Sequence, residues 1–227
     1  MKHLFLFILS LFFISCSQHL SQLPEEGNFI LDTGCSIEKL YFSDHGYYGE
    51  RDKSIQVLSH TDYKHAGLLG WPYIKQFRWK CTEDGMEKVP FIPEEIKKSA
   101  IEFFILPAPH LTIYNKETGM LIFDTGCEFG IILSKEKWKE FKRAHPNLKY
   151  EKVSGICGLG AEFESEITNC SGLSFGSFKT DKMPISETFD ETTGDLMVGW
   201  GATKDYDIWI DPENLRFYRI DKIRTKP

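Results

Sequence analysis

Short apolar runs closed by turn-forming residues recur along the chain, and one of them occurs twice. Phe29-Ile30-Leu31 leads into Asp32-Thr33-Gly34-Cys35, and Leu121-Ile122-Phe123 leads into Asp124-Thr125-Gly126-Cys127. An apolar run of this length, bounded by a turn signal, reads as a buried strand. Each copy therefore predicts a strand that delivers one carboxylate onto a tight Thr-Gly turn. A second pair of runs follows, Gly67-Leu68-Leu69-Gly70-Trp71 and Leu196-Met197-Val198-Gly199-Trp200. Beyond each Gly-Trp the spacing is kept: Lys75 and Lys204 sit five residues past their glycine, Phe77 and Tyr206 seven, Trp79 and Ile208 nine.

The remaining pattern is mostly that of strands. Apolar or alternating stretches at 54–58, 77–81, 101–106 and 111–114 predict strands, with turns at Glu83-Asp84-Gly85 and at Asn115 to Gly119. Residues 36–53 carry loop formers such as Asp44, His45, Gly46 and Gly49, and predict no helix. Pro93-Glu94-Glu95-Ile96 predicts a short helix in a connector over 90–98. Ser134 predicts the cap of a longer one through about Ala144, with Trp138 and Phe141 on one face and Pro146 beyond its end. Residues 150–167 alternate and are interrupted by Gly155 and Gly158, which predicts a Gly-rich hairpin. A strand at 206–220, folded back at Ile208-Trp209-Ile210-Asp211-Pro212-Glu213-Asn214, closes the chain.

The first residues describe an address. Lys2 and His3 precede an apolar stretch from Leu4 to Phe13, too short for a spanning helix, and Phe13-Ile14-Ser15-Cys16 ends it. This resembles a bacterial lipoprotein signal over 1–15 with Cys16 as the lipidated residue; the plainer alternative is an ordinary secretory signal. Lipidation implies a membrane-anchored protein of the cell envelope, and Ser17 after the cysteine favours the outer membrane or its periplasmic face. Residues 16–28 then read as a tether. The net charge of −6 and the lack of a basic tract argue against nucleic acid as a partner. An apolar fraction of 41%, with 18 phenylalanines, is enough for a packed core.

With Cys16 lipidated, five of the six cysteines remain, so at least one stays unpaired within the chain. Cys35 and Cys127 read as small buried thiols behind the turn glycines. No Cys-x-x-Cys occurs and no histidine lies at ligand spacing, so no metal or cofactor is expected. A Cys157–Cys170 bridge is open in an oxidising compartment.

A buried carboxylate must be neutralised, paired or hydrogen-bonded. Two acids on equivalent turns could meet across a pseudo-two-fold axis and share one proton. A lone Asp-Thr-Gly is ordinarily a solvated turn; two copies, each behind an apolar run and each trailed by a Gly-Trp signature, reverse that. The phrase resembles the active-site motif of pepsin-like and retropepsin-like aspartic proteases, and the second signature and the closing strands are similar to theirs over nearly all of the chain after residue 28. The resemblance implies a mostly β, two-lobed acid-protease-like β-barrel fold, a pseudo-dimer in one chain. Its first lobe (29–92) is shortened, and its second (93–227) is complete and holds the one long helix. It implies Asp32 and Asp124 as a catalytic dyad, Thr33 and Thr125 as the residues that lock the two turns together, and Gly34 and Gly126 as the turn glycines. It also gives the 150–167 hairpin as a flap and a peptide or protein as substrate. Two alternatives stand beside this reading: a homodimeric protease using Asp124 alone, and a binding module on an inactive fold. No zinc-protease motif and no Gly-x-Ser-x-Gly competes.

Overall fold

Both Asp-Thr-Gly turns are carried on strands that bury apolar side chains, Phe29, Ile30 and Leu31 on one and Leu121 and Phe123 on the other. In a computed structural model, which describes residues 29–43, 46–49, 67–156, 162–181, 183–188 and 196–222, the chain is mostly β. A four-stranded sheet comes first, from β1 (Phe29–Asp32), β2 (Lys39–Ser43), β3 (Gly46–Gly49) and β4 (Gly67–Gly70). After a helical turn α1 (Trp71–Ile74) come β5 (Arg78–Thr82), β6 (Gly85–Val89), α2 (Glu94–Ser99), β7 (Ile101–Leu106), β8 (Thr112–Asn115) and β9 (Gly119–Asp124). The rest comprises β10 (Ile131–Leu133), α3 (Lys135–Ala144), β11 (Glu151–Ile156), β12 (Glu162–Thr168), a ribbon of β13 (Leu173–Phe175) and β14 (Phe178–Thr180), β15 (Ile185–Glu187), β16 (Leu196–Gly199), a 3₁₀ turn Trp200–Lys204, β17 (Tyr206–Asp211) and β18 (Arg216–Asp221).

The sequence repeat is a repeat of strand register. β1 runs parallel to β4 with Asp32 opposite Gly70, and β9 runs parallel to β16 with Asp124 opposite Gly199. β2 lies antiparallel to β4 with Lys39 opposite Leu69, as β10 lies to β16 with Ile131 opposite Val198. The two copies join where β5 pairs antiparallel with β17: Lys80 faces Trp209, flanked by Trp79 opposite Ile210 and Cys81 opposite Ile208. Since Trp79 and Ile208 are equivalent by spacing, that pairing maps onto itself when the copies are exchanged. Lys80–Trp209 therefore marks an approximate two-fold axis. Even the cations repeat: Lys88, opposite Trp79, stands 3.5 Å over the Phe77 ring, and Arg219, opposite Ile208, stands 4.4 Å over Tyr206.

The large sheet has twelve strands in the order β11-β12-β15-β10-β16-β9-β8-β7-β18-β17-β5-β6. It corrects the barrel expected from sequence. A barrel closes only when its first and last strands pair, and among the described residues β11 and β6 are open edges. The sheet also takes strands from both sides of residue 92. Trp79, Phe103, Phe123, Phe178 and Phe217 pack its main core, with Phe217 edge-on to both Phe103 and Phe123.

One local expectation is corrected as well. The stretch read as loop between 36 and 53 contains β2, held by pairing with β4, a partner remote in sequence, and β3, which pairs with β2. The residues between each Gly-Trp and the strand that follows it, for which no element was predicted, make a helical turn, with Pro72 starting α1. The helices lie where the sequence put them: Ser134 caps α3, accepting from the Lys137 amide at 3.3 Å, and Trp138 and Phe141 are buried. β11 and β12 form the expected hairpin. Its tip, the strand proposed at 54–58 and the N-terminal residues with Cys16 lie outside the described residues. No described helix is long and apolar enough to cross a membrane.

Candidate active site

The two turns meet. Thr33 donates its hydroxyl to the Phe123 carbonyl at 2.6 Å, and Thr125 donates to the Leu31 carbonyl at 2.7 Å. Each hydroxyl also accepts the other threonine's backbone amide at 3.0 Å. These four reciprocal bonds are fully buried, so nothing in water competes with them. Leu111 adds a further strap, its amide donating to Thr33 and its carbonyl accepting from Phe123. No sequence signal marked Leu111, since its part is played by backbone atoms alone.

Locked in this way, each turn holds its own carboxylate over the other. A methyl group on Gly34 would lie 2.6 Å from an Asp124 carboxylate oxygen, and one on Gly126 would lie 2.6 Å from an Asp32 oxygen. Only glycine allows that approach. The Asp32 and Asp124 carboxyls are close enough to act directly on each other. Backbone amides hold them in place: Gly34 and Cys35 donate to Asp32 Oδ1 at 2.9 and 3.0 Å, and Gly126 donates to Asp124 Oδ1 at 2.8 Å. Gly70 and Gly199 support the turns from behind, because a methyl on either would press on the Cys35 or Cys127 carbonyl, at 2.7 and 2.5 Å. Those carbonyls accept from Trp71 and Trp200, which gives the Gly-Trp signature its physical meaning.

Part of each aspartate's surface is open to solvent, but the carboxyl itself sits deep among protein atoms. Burial, the charge of Asp124 and the hydrogen bond to it all push Asp32 well above the ordinary carboxylate range. Burial also raises Asp124, but the bond from Asp32 and the amides of Gly126, Gly34 and Cys127 oppose it. Two carboxyls this close cannot both be ionised, so the pair shares one proton, and Asp32 is raised the further of the two. This is an acid and a base side by side.

Cys35 and Cys127 flank the pair and are half-buried rather than buried as expected. Burial, then the charge of Asp32, pushes the Cys35 thiol up to about 12, and Cys127 is raised by burial and Asp124. Both stay protonated, and Cys35 points its sulfur at the Ile37 carbonyl, away from the carboxyls. Cys170 is a free thiol; Cys157, its candidate partner, lies outside the described residues. Among the described residues no three His, Cys, Asp or Glu side chains converge as metal ligands.

No protein-family model matches the chain, and no curated protein matches it. Among solved structures it is similar to conglutin gamma, a basic 7S globulin from lupine seeds, with 11% identity and a TM-score of 0.44. The match covers 72% of this chain and 59% of that protein, so the chain spans less than two thirds of its length. A likeness this loose bears on neither fold nor chemistry.

Proposed function

We propose that the chain is an aspartic-type endopeptidase that hydrolyses peptide bonds with a water activated between Asp32 and Asp124. The observation that carries the reading is the pair of carboxyls, each seated over the other turn's glycine, aligned by reciprocal threonines from two equivalent turns. Asp124 takes a proton from the water as its oxygen attacks the scissile carbonyl, while Asp32 gives its proton to the carbonyl oxygen. The tetrahedral intermediate then collapses: the carbon–nitrogen bond breaks, the nitrogen leaves with a proton from Asp124, and the gem-diol proton returns to Asp32. Atoms balance as peptide plus water giving acid and amine, with no cofactor.

On this reading the chain is a single-chain pseudo-dimer with two acid-protease-like lobes, the first shortened between β2 and β4. The pairing of both carboxyls within one chain favours it over a homodimer that uses Asp124 alone. A lipid anchor on Cys16 would hold it in the cell envelope. Peptide-library digestion from acid to neutral pH tests the activity, with and without a pepsin-type transition-state inhibitor. Asp32→Asn and Asp124→Asn should each lower kcat at least about a thousandfold, and the double variant should be little worse, because the pair acts as a unit. Full activity in Asp32→Asn would leave the homodimer reading; no inhibitor-sensitive cleavage at any pH would leave the binding module. For the anchor, Cys16→Ala should move the protein out of the detergent phase, and an unmodified mature peptide spanning Ser15 to Ser17 would contradict it.

A further inference from the structure

On β9, Leu121 and Phe123 point into the core, so Met120, Ile122 and Asp124 share the opposite face, the one that presents the proposed catalytic carboxyl. Along that face apolar surface continues outward across the sheet. Met120 lies directly opposite Tyr114 on β8, which lies opposite Phe104 on β7, which lies opposite Arg216 on β18. The three apolar members are 64%, 41% and 50% exposed, and the Arg216 guanidinium covers the end of the row 4.4 Å over the Phe104 ring. The inner row is Ile122 opposite Thr112 and Thr112 opposite Leu106. It is half-buried or buried. A stripe of exposed apolar side chains thus begins about 13 Å, or two strand repeats, from Asp124.

We propose that this row, Met120–Tyr114–Phe104, is an accessory docking strip for an apolar side chain of the peptide substrate, about four residues from the scissile bond. The inference rests on the endopeptidase reading for its substrate and on the shared face for its place. Size decides between occupants. The three side chains expose on the order of 300 Å² together, far short of the roughly 800 Å² per partner that a stable dimer interface needs. A membrane-facing patch would be rimmed by cations, whereas here Arg216 is paired with Glu102 and the adjoining turn carries Glu117 beside Lys116. An extended peptide lying along the face and leaving the dyad meets the row with one side chain, which the strip has room to cover.

The test uses the full-length protein and a Met120→Thr/Tyr114→Thr double variant, which keeps strand-forming residues; an unchanged melting temperature controls for folding. Digestion of a proteome-derived peptide library, read by mass spectrometry, should show Phe, Leu or Met enriched about four residues from the cut on one side. In the double variant that enrichment should fall about tenfold, the preference next to the cut staying as it was. An identical profile in both proteins would overturn the strip. A second arm does not depend on cleavage: a Phe- and Leu-rich decapeptide bearing a benzophenone, added to the Asp124→Asn protein, should cross-link at Met120, Tyr114 or Phe104, located by fragmentation of the tryptic peptides 117–135 and 99–116. Cross-links elsewhere, or none, would overturn the strip even if the peptidase is active, and cross-links to the row without any cleavage would uphold it while the catalytic reading fails. Loss of self-association, or of binding to phosphatidylethanolamine–phosphatidylglycerol vesicles, in the double variant would give the row to a second copy or to a membrane and overturn the peptide.

Discussion

Thr33 and Thr125 show how much a single hydroxyl can carry. Thr33→Val keeps the shape but removes the bond to Phe123 and leaves the Thr125 amide with no acceptor. Stranding buried polar groups should cost about 2–4 kcal/mol in urea unfolding, largely restored by Thr33→Ser; a loss below about 0.5 kcal/mol would mean that water fills the gap. Asp32 gives a pH signature. Its folded pKa lies above its unfolded one, so its contribution to stability is full below the ordinary carboxylate range and is lost as pH rises through the raised value. Asp32→Asn has no such penalty. Its melting temperature should therefore gain on the natural protein's as pH rises from about 5 to 8, and parallel curves would contradict the raised value. Iodoacetamide at pH 8 should leave Cys35 and Cys127 unlabelled until the protein unfolds. The aspartates, threonines and glycines were legible because their spacing recurs, and recurrence is visible in a string. The coupling of the two carboxyls was not, because it depends on how closely two turns remote in sequence approach each other.

Among the elements, α3 and the β8–β9 hairpin were legible from local chemistry. Ser134→Ala should cost about 1 kcal/mol. Gly119, at φ 75°, sits where a side chain is strained although the space around it is open, so Gly119→Ala should cost about 1 kcal/mol through backbone conformation alone. Urea midpoints with unchanged slopes would check both. β2 and β3 were hidden because they are short and Gly46 and Gly49 bound β3 as loop formers would, and only the pairing of β2 with β4, and of β3 with β2, makes them strands. The expected barrel failed for a related reason. Alternation shows which face of a strand is buried, but not whether β6 and β11 find each other.

For the whole molecule, the axis through Lys80 and Trp209 relates two versions of one packing device, a cation laid on the ring seven residues past each Gly-Trp. Arg219 is buried, its Nε and Nη1 have no hydrogen-bond partner among the described residues, and Tyr206 supplies the ring face beneath it, while Lys88 over Phe77 keeps partial contact with water. Tyr206→Leu should therefore destabilise the protein more than Phe77→Leu; equal urea midpoints would show that burial of the cation is immaterial. The register of β9 carries a consequence in time. Asp124 is aligned by β16, whose residues 196–199 lie some seventy positions further along the chain. A polypeptide still being made holds both aspartates long before it holds the strand that seats the second one. On the proposed function, a growing chain that holds both acids but not yet residues 196–199 cannot cut.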